Sequence, residues 1–387
     1  MTVYLDHAAT TPMRPEAVDA MLPWLTTGYG NPSGSHAGSR AARQAVDEAR
    51  DVVAQCLGCE PGEVIFTGGG TEADNLAIAG VVGAGGGMAA CTPVCTAIEH
   101  HAVLHSVQAL GGRIVAVDEG GFVDLDAMRD ALARSPDVAV VSVMLANNEV
   151  GTVQPLAELA RVVREVAPAA VLHTDAVQAF AWLDVATIGQ PADLLSVAAH
   201  KFGGPKGVGA LVARGSVKLE PLLRGGGQER DRRSGTHNVA GIVAMAAAMR
   251  ATVEQRTTRA AALRLLRDRL ADDVTAAIPG VIETGGVDGR DRRLPNICHL
   301  RFDGIESEAL LVLLDNAGVC ASAGSACASG ALEPSHVLAA MGVDPASARS
   351  SVRLSLGWPT TATDVEAATT ALTSSVAQLR ATRQVTA

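Results

Sequence analysis

Between Glu63 and Arg214 the chain repeats one pattern, a short apolar run followed by a polar turn and, in most repeats, a helical stretch. The runs are "EVIFTG", "AACTPVCTA", "RIVAVD", "VAVVSVMLA", "AAVLHTDAV", "LLSVAAH" and "VGALVAR". Between them lie "TEADNLAIAGVV", "HHAVLHSVQAL" and "PLAELARVVREV", with apolar residues at helical spacing. Strands that alternate with helices build a mostly parallel sheet with helices on both faces. Several runs are apolar at successive positions, as a doubly covered sheet requires. The predicted class is α/β, with a mostly parallel seven-stranded sheet flanked by helices.

After "RSGTHN" the texture changes to one long helical pattern, Val239 to Ala277, rich in Ala, Leu and Arg. The strands "NICHLRF" and "VRLSLG" follow, with "ESEALLVLLDNAG" and "TDVEAATTALTSSVAQL" as helices around them. This predicts a smaller α+β domain, with the long helix as the bridge. A chain of 387 residues favours two domains. The expected division is a large domain over 16–250 and a small one made of 1–15 and 251–387.

A formal net charge of −10 argues against a general binder of nucleic acid or anionic membranes, both of which need a basic face. Aromatics make up only 3 %, too few for base-stacking platforms. The start, "MTVYLDHAATTPM", lacks the basic and apolar regions of a signal peptide, and no uncharged apolar run reaches spanning length. A cytoplasmic location is expected. The seven cysteines are read as reduced thiols. "CLGC" and "CTPVC" invite a zinc reading, but Cys56 continues a helix and Cys91 and Cys95 sit in a strand, so no metal is expected.

The chain has 31 basic residues, of which only Lys201, Lys206 and Lys218 are lysine. Lys201 follows a histidine at the end of an apolar strand. Other strand ends are polar too: Asn147, Asn148 and Glu149 in one, Asp175 and Gln178 in another. "FTGGGTEADN" reads as a strand, glycines, then Thr71 opening a helix, which suits a phosphate. Ligands of open α/β sheets collect at these carboxyl ends. A phosphate cradle, a carboxylate and a lysine amine together suit pyridoxal 5'-phosphate: the amine forms a Schiff base and the carboxylate pairs with the ring nitrogen. Taken singly, Asp175 reads as a cap and Lys201 as a solvated charge; their coincidence favours the cofactor. In "VCASAGSACASGALEPSHVL", Cys327 sits among small residues that give little packing, the surroundings of a thiol that moves and reacts. Cys320 reads as core.

These residues resemble a known family. "YLDHAATTPM", "GNPSGSH", "TGGGTEADNLAI", "EHHAVL", "NNEVGTVQP", "HTDAVQA", "HKFGGPKGVGAL", "GGGQERDRRSGT", "SAGSACASGALEPSHVL" and "VRLSLG" occur in the order seen in pyridoxal-phosphate-dependent cysteine desulfurases of the NifS/IscS type. The match runs from Tyr4 to about Gly357. It implies the fold type I of pyridoxal-phosphate transferases. It implies that Lys201 carries the cofactor, Asp175 pairs with its ring nitrogen and His100 stacks on the ring. Gly70, Thr71 and His200 would help hold the phosphate, and Asn148 and Gln178 would contact the substrate side or the ring hydroxyl. Thr236 would reach the phosphate of a neighbouring subunit, which implies a homodimer. Arg353 and Asn31 would bind the substrate carboxylate.

The implied reaction turns L-cysteine into L-alanine. Cys327 attacks the substrate sulfur, and Lys201 with His100 moves protons. The resulting persulfide passes its sulfur to an acceptor protein in iron–sulfur assembly, tRNA thiolation or DNA phosphorothioation. Selenocysteine lyase and aminotransferase are the rival activities on this fold, and a non-catalytic nucleotide-binding scaffold is a remote one. Many relatives carry serine where this chain has Ala198, which removes one phosphate hydrogen bond.

Overall fold

The computed structural model describes residues 2–87, 91–135, 137–215, 217–323 and 335–386. A short first strand, β1 (Val3–Tyr4), precedes the large sheet. That sheet contains β2 (Val64–Thr67), β3 (Thr92–Thr96), β4 (Arg113–Val115), β5 (Val138–Ser142), β6 (Val171–Asp175), β7 (Leu194–Ala198) and β8 (Gly209–Ala213). Each coincides with one of the seven apolar runs. Their spatial order is β2-β8-β7-β6-β5-β3-β4. Pairing is parallel from β4 across to β7, and β8 runs antiparallel to both β2 and β7. Every residue of β2, β7 and β8 is buried, which explains why their sequences do not alternate.

Helices Gly70–Ala84, His101–Ala109 and Leu156–Val166 match the helical stretches between these runs. The Val239–Ala277 helix has the bounds that its pattern predicts, and the Asn238 side chain caps it by accepting from the Gly241 N–H. Its first half packs Ile242, Met245 and Met249 into the core of the large sheet, and its second half packs Leu263, Leu270 and Val274 into another core. Strands β9 (Val281–Glu283) and β10 (Ile297–Phe302), then β11 (Val319–Cys320) and β12 (Ser351–Ser355), follow the helix. β12, β10 and β9 form an antiparallel three-stranded sheet, and β11 pairs in parallel with β1. Val3 and Leu5 belong to that second core, so the N-terminus crosses from one body to the other. A third cluster, with Ile98, Met144 and Val150 against Val337, Leu338 and Met341, ties the bodies together beside the strand ends. Among the described residues no helix is long and apolar enough to cross a membrane.

Candidate active site

β5, β6 and β7 are neighbours in the sheet, so the segments leaving their carboxyl ends meet. A cavity of about 410 Å³ lies there. Of the residues singled out in the sequence it brings together Gly70, Thr71, His100, Asn148, Asp175, Gln178, His200, Lys201 and Arg353.

One wall is the glycine turn after β2. Gly69 has φ +149°, a conformation closed to most side chains, and it precedes the Gly70–Ala84 helix. Gly209 of β8 makes room for the turn, because a Cβ there would lie 2.6 Å from the Val197 carbonyl and 2.9 Å from the Gly69 Cα. The amides of the helix's first turn lack partners within the helix, so with Thr71 they form an anion cradle.

The floor is Asp175, the last residue of β6 and 5 % exposed. Its Oδ1 accepts from the Val177 N–H at 2.8 Å. Burial pushes its pKa up to about 6, against the Val177 hydrogen bond and the Lys201 charge, which favour the anion.

Lys201 ends a short turn that follows β7. Its Nζ donates to the Ala8 carbonyl and, at 2.9 Å, to that of Ala9. Gln178 Nε2 donates to Ala8 as well, at 2.7 Å. The His200 ring lies 3.2 Å from Thr10 Oγ1, and the Thr11 N–H donates to the His200 carbonyl. Thus the "DHAATT" segment straps down the lysine turn.

His100 caps the His101–Ala109 helix, its Nδ1 accepting from the Ala102 N–H at 3.1 Å. Burial, then the Lys201 charge, lowers its pKa to about 4, so the ring is neutral at pH 7. Because Nδ1 accepts, the ring proton sits on Nε2. Burial and Lys201 likewise lower His200 to about 4.

Arg353, from β12, closes the far side. Its Nη1 donates to the Asn148 carbonyl at 3.0 Å and its Nη2 to Asp6 Oδ1 at 2.8 Å.

Two lining residues, His336 and Asp74, escaped the sequence reading, and Glu149 was named there only as a polar strand-end residue. The His336 and His101 rings meet at a tilt of 35° with centroids 4.5 Å apart, and His101 stacks on His105 at 4.7 Å. Glu149 accepts from Ser335 Oγ at 2.5 Å, and burial raises its pKa. Asp74 is 1 % exposed; burial, then the nearby Asp175, raises its pKa well above the carboxylate range. Its only sequence signal is the i+3 spacing from Thr71, on one face of the helix.

Asn31 and Thr236 are exposed and do not line the cavity. The Asn31 side chain accepts from the Ser33 N–H. Both residues adjoin a second groove, walled by Pro32, Ser33, Gln228 and His237 among others. Cys327 lies outside the described residues. The chain before that stretch is tied down where Ser322 and Arg353 exchange backbone hydrogen bonds of 3.2 and 2.7 Å, and the chain after it where Ser335 meets Glu149. Cys320 is half-buried.

The profile of the family described as Aminotransferase class-V matches residues 3–368. The chain is 48 % identical, over 97 % of each sequence, to the IscS-like cysteine desulfurase of Mycobacterium tuberculosis (strain ATCC 25618 / H37Rv). It is 43 % identical to the cysteine desulfurase IscS of Clostridium botulinum (strain Hall / ATCC 3502 / NCTC 13319 / Type A), over 94 % of this chain and 91 % of that one. Its structure is similar to that of a NifS-like protein, with a TM-score of 0.89 and 34 % identity, over 97 % of this chain and 99 % of the other.

Proposed function

The chain belongs to the aminotransferase class-V family, and from that premise we propose how its cavity works as a cysteine desulfurase that uses pyridoxal 5'-phosphate. The observation that carries the reading is the meeting, in one cavity, of a lysine amine, a buried carboxylate, a neutral histidine and a glycine-opened helix end. This donor set fits the cofactor: the cradle at Gly70 and Thr71 takes its phosphate, Asp175 its ring nitrogen, Lys201 its aldehyde and His100 its ring face. When bound, the cofactor draws electrons from the α-carbon of L-cysteine.

The chain's own groups do the rest. Asp175 is mostly ionised at pH 7 and offers a carboxylate to a protonated nitrogen. Lys201 sits between the Ala8 and Ala9 carbonyls, where its amine takes and returns the α-proton. His100 holds a proton on Nε2 near that amine. Asn148 and Gln178 border the substrate side, and His200 supports the phosphate end. Arg353 presents its guanidinium to the substrate carboxylate. The Cys327 thiolate attacks the substrate sulfur. The new S–S bond forms as the Cβ–S bond breaks, and its electron pair ends as a C–H bond of L-alanine. The persulfide sulfur then passes to an acceptor protein.

The active form is a homodimer in this reading. Asn31 and Thr236 stand exposed beside one groove, so a second copy docked there would receive both at its own cavity, Thr236 at the phosphate and Asn31 at the substrate carboxylate.

The test is alanine and sulfide release from L-cysteine with a reductant. Cys327→Ser should keep the cofactor's visible colour and lose sulfide release; release at the wild-type rate would replace this mechanism with that of another lyase or a transaminase.

A further inference from the structure

Arg353 is buried, with its side chain 2 % exposed, at the junction of three segments. A buried guanidinium needs partners, and those partners fix the plane in which its donors point. Nη2 meets the Asp6 carboxylate at 2.8 Å and Nη1 the Asn148 carbonyl at 3.0 Å. Two contacts on different nitrogens leave the plane little freedom. Asp6 is itself held: it bridges to Ser355 on β12, and its carbonyl accepts from the Tyr4 hydroxyl and the Ala9 N–H, both at 3.1 Å. Two residues on, Ala8 accepts from Lys201. The strap that orients the amine therefore also carries the carboxylate that orients the guanidinium.

We propose that Asp6 is a positioning residue for the reaction, its carboxylate setting the orientation in which Arg353 meets the carboxylate of L-cysteine. This rests on the reading of Arg353 given above. Asp6 touches no reacting atom and acts through Arg353 alone. Misplacing a binding group by a fraction of an ångström weakens carboxylate capture while the α-carbon chemistry continues.

The test uses the loaded enzyme and Asp6→Asn, which keeps the shape and removes the charge. The KM for L-cysteine should rise about tenfold with kcat within about twofold of wild type. Inhibition by L-alanine should weaken by about the same factor, while inhibition by ethylamine, which lacks the carboxylate, should stay put. Asp6→Glu should recover part of the loss. In an Arg353→Lys background Asp6→Asn should add less than about twofold, because the two act as a unit. An unchanged or lower KM in Asp6→Asn, or equal weakening toward ethylamine, would overturn the proposal. If Arg353→Lys itself leaves KM unchanged, the carboxylate reading of Arg353 fails first, and the two failures are thereby told apart.

Discussion

The Lys201 amine donates to the carbonyls of Ala8 and Ala9, residues almost two hundred positions away and next to the N-terminal strand. Two carbonyls hold an ammonium well, and they hold a guanidinium as readily. Lys201→Arg should therefore fold and keep the strap. It cannot form the imine, because a guanidinium stays protonated. Lys201→Arg and Lys201→Ala should both lose the visible absorption of the bound cofactor and at least about a thousandfold in alanine formation. A coloured, active Lys201→Arg enzyme would remove the lysine from the chemistry.

Asp175 carries a pH signature. Its pKa in the unloaded chain is raised to about 6, mainly by burial. Above that value the carboxylate is present to pair with a protonated ring nitrogen; below it the carboxyl is neutral and the pairing is lost. The dissociation constant for pyridoxal 5'-phosphate should rise about tenfold for each pH unit below 6. Asp175→Asn should bind weakly at every pH and lose that component of the slope. Absorbance titrations of the unloaded protein at several pH values check both, and equal slopes in the two proteins would refute the assignment.

The strands were legible because they are short, apolar and well separated, and the long helix because its pattern runs unbroken from Val239 to Ala277. Asp175 and Lys201 were legible because one ends an apolar strand and the other the short turn that follows one, where polar residues need a reason. The rest depends on chain reversals that no local pattern reports. Asp6 meets Arg353 across a separation of 347 positions, and His336 reaches His101 only because the two bodies are packed together. Asn31 and Thr236 illustrate the opposite limit: their motifs were readable, yet within one chain both stay outside the cavity.

Glu229 supports a stability prediction. Burial alone would raise its pKa, but hydrogen bonds from Arg50 and His237 overrule this and hold it at about 2. The Arg50 bond is 2.6 Å, and a second oxygen accepts from the Phe66 N–H at 2.9 Å. Glu229, Arg230 and Asp231 all have positive φ, of 51°, 59° and 63°, a strained run that the buried ion pair offsets. Glu229→Gln leaves Arg50 buried with a neutral partner and should cost about 3 kcal/mol at pH 7. A folded pKa below the unfolded one places this stabilisation above pH 4.5, and it is lost as the pH falls toward 2. The gap between wild type and variant in chemical denaturation should narrow across that window; a constant gap would mean that the charge is irrelevant.

Gly209→Ala tests the cradle from behind. Its new methyl would meet the Val197 carbonyl and the Gly69 backbone, neither of which yields as a side-chain tip does. The variant should lose about 1–3 kcal/mol of stability. It should also bind cofactor more weakly than Gly62→Ala, which meets nothing within 4 Å. Equal binding by the two variants would place the phosphate elsewhere.

Ala198 offers the converse, a gain. It ends β7 and lines the cavity, and a Cβ placed on Gly70 would stand 3.3 Å from its methyl. A serine hydroxyl there would stand beside the first turn of the Gly70–Ala84 helix, within reach of an anion held by that turn. One added hydrogen bond to a bound phosphate is worth about 1 kcal/mol, or about fivefold in affinity. Ala198→Ser should therefore lower the dissociation constant for pyridoxal 5'-phosphate about fivefold, and that for inorganic phosphate in the unloaded protein by a similar factor. It should leave the KM for L-cysteine unmoved, since the hydroxyl lies at the phosphate end and Arg353 at the other. Tighter cofactor binding without tighter phosphate binding would mean that the hydroxyl acts on the ring; no change in either would place the anion away from Gly70 and Thr71.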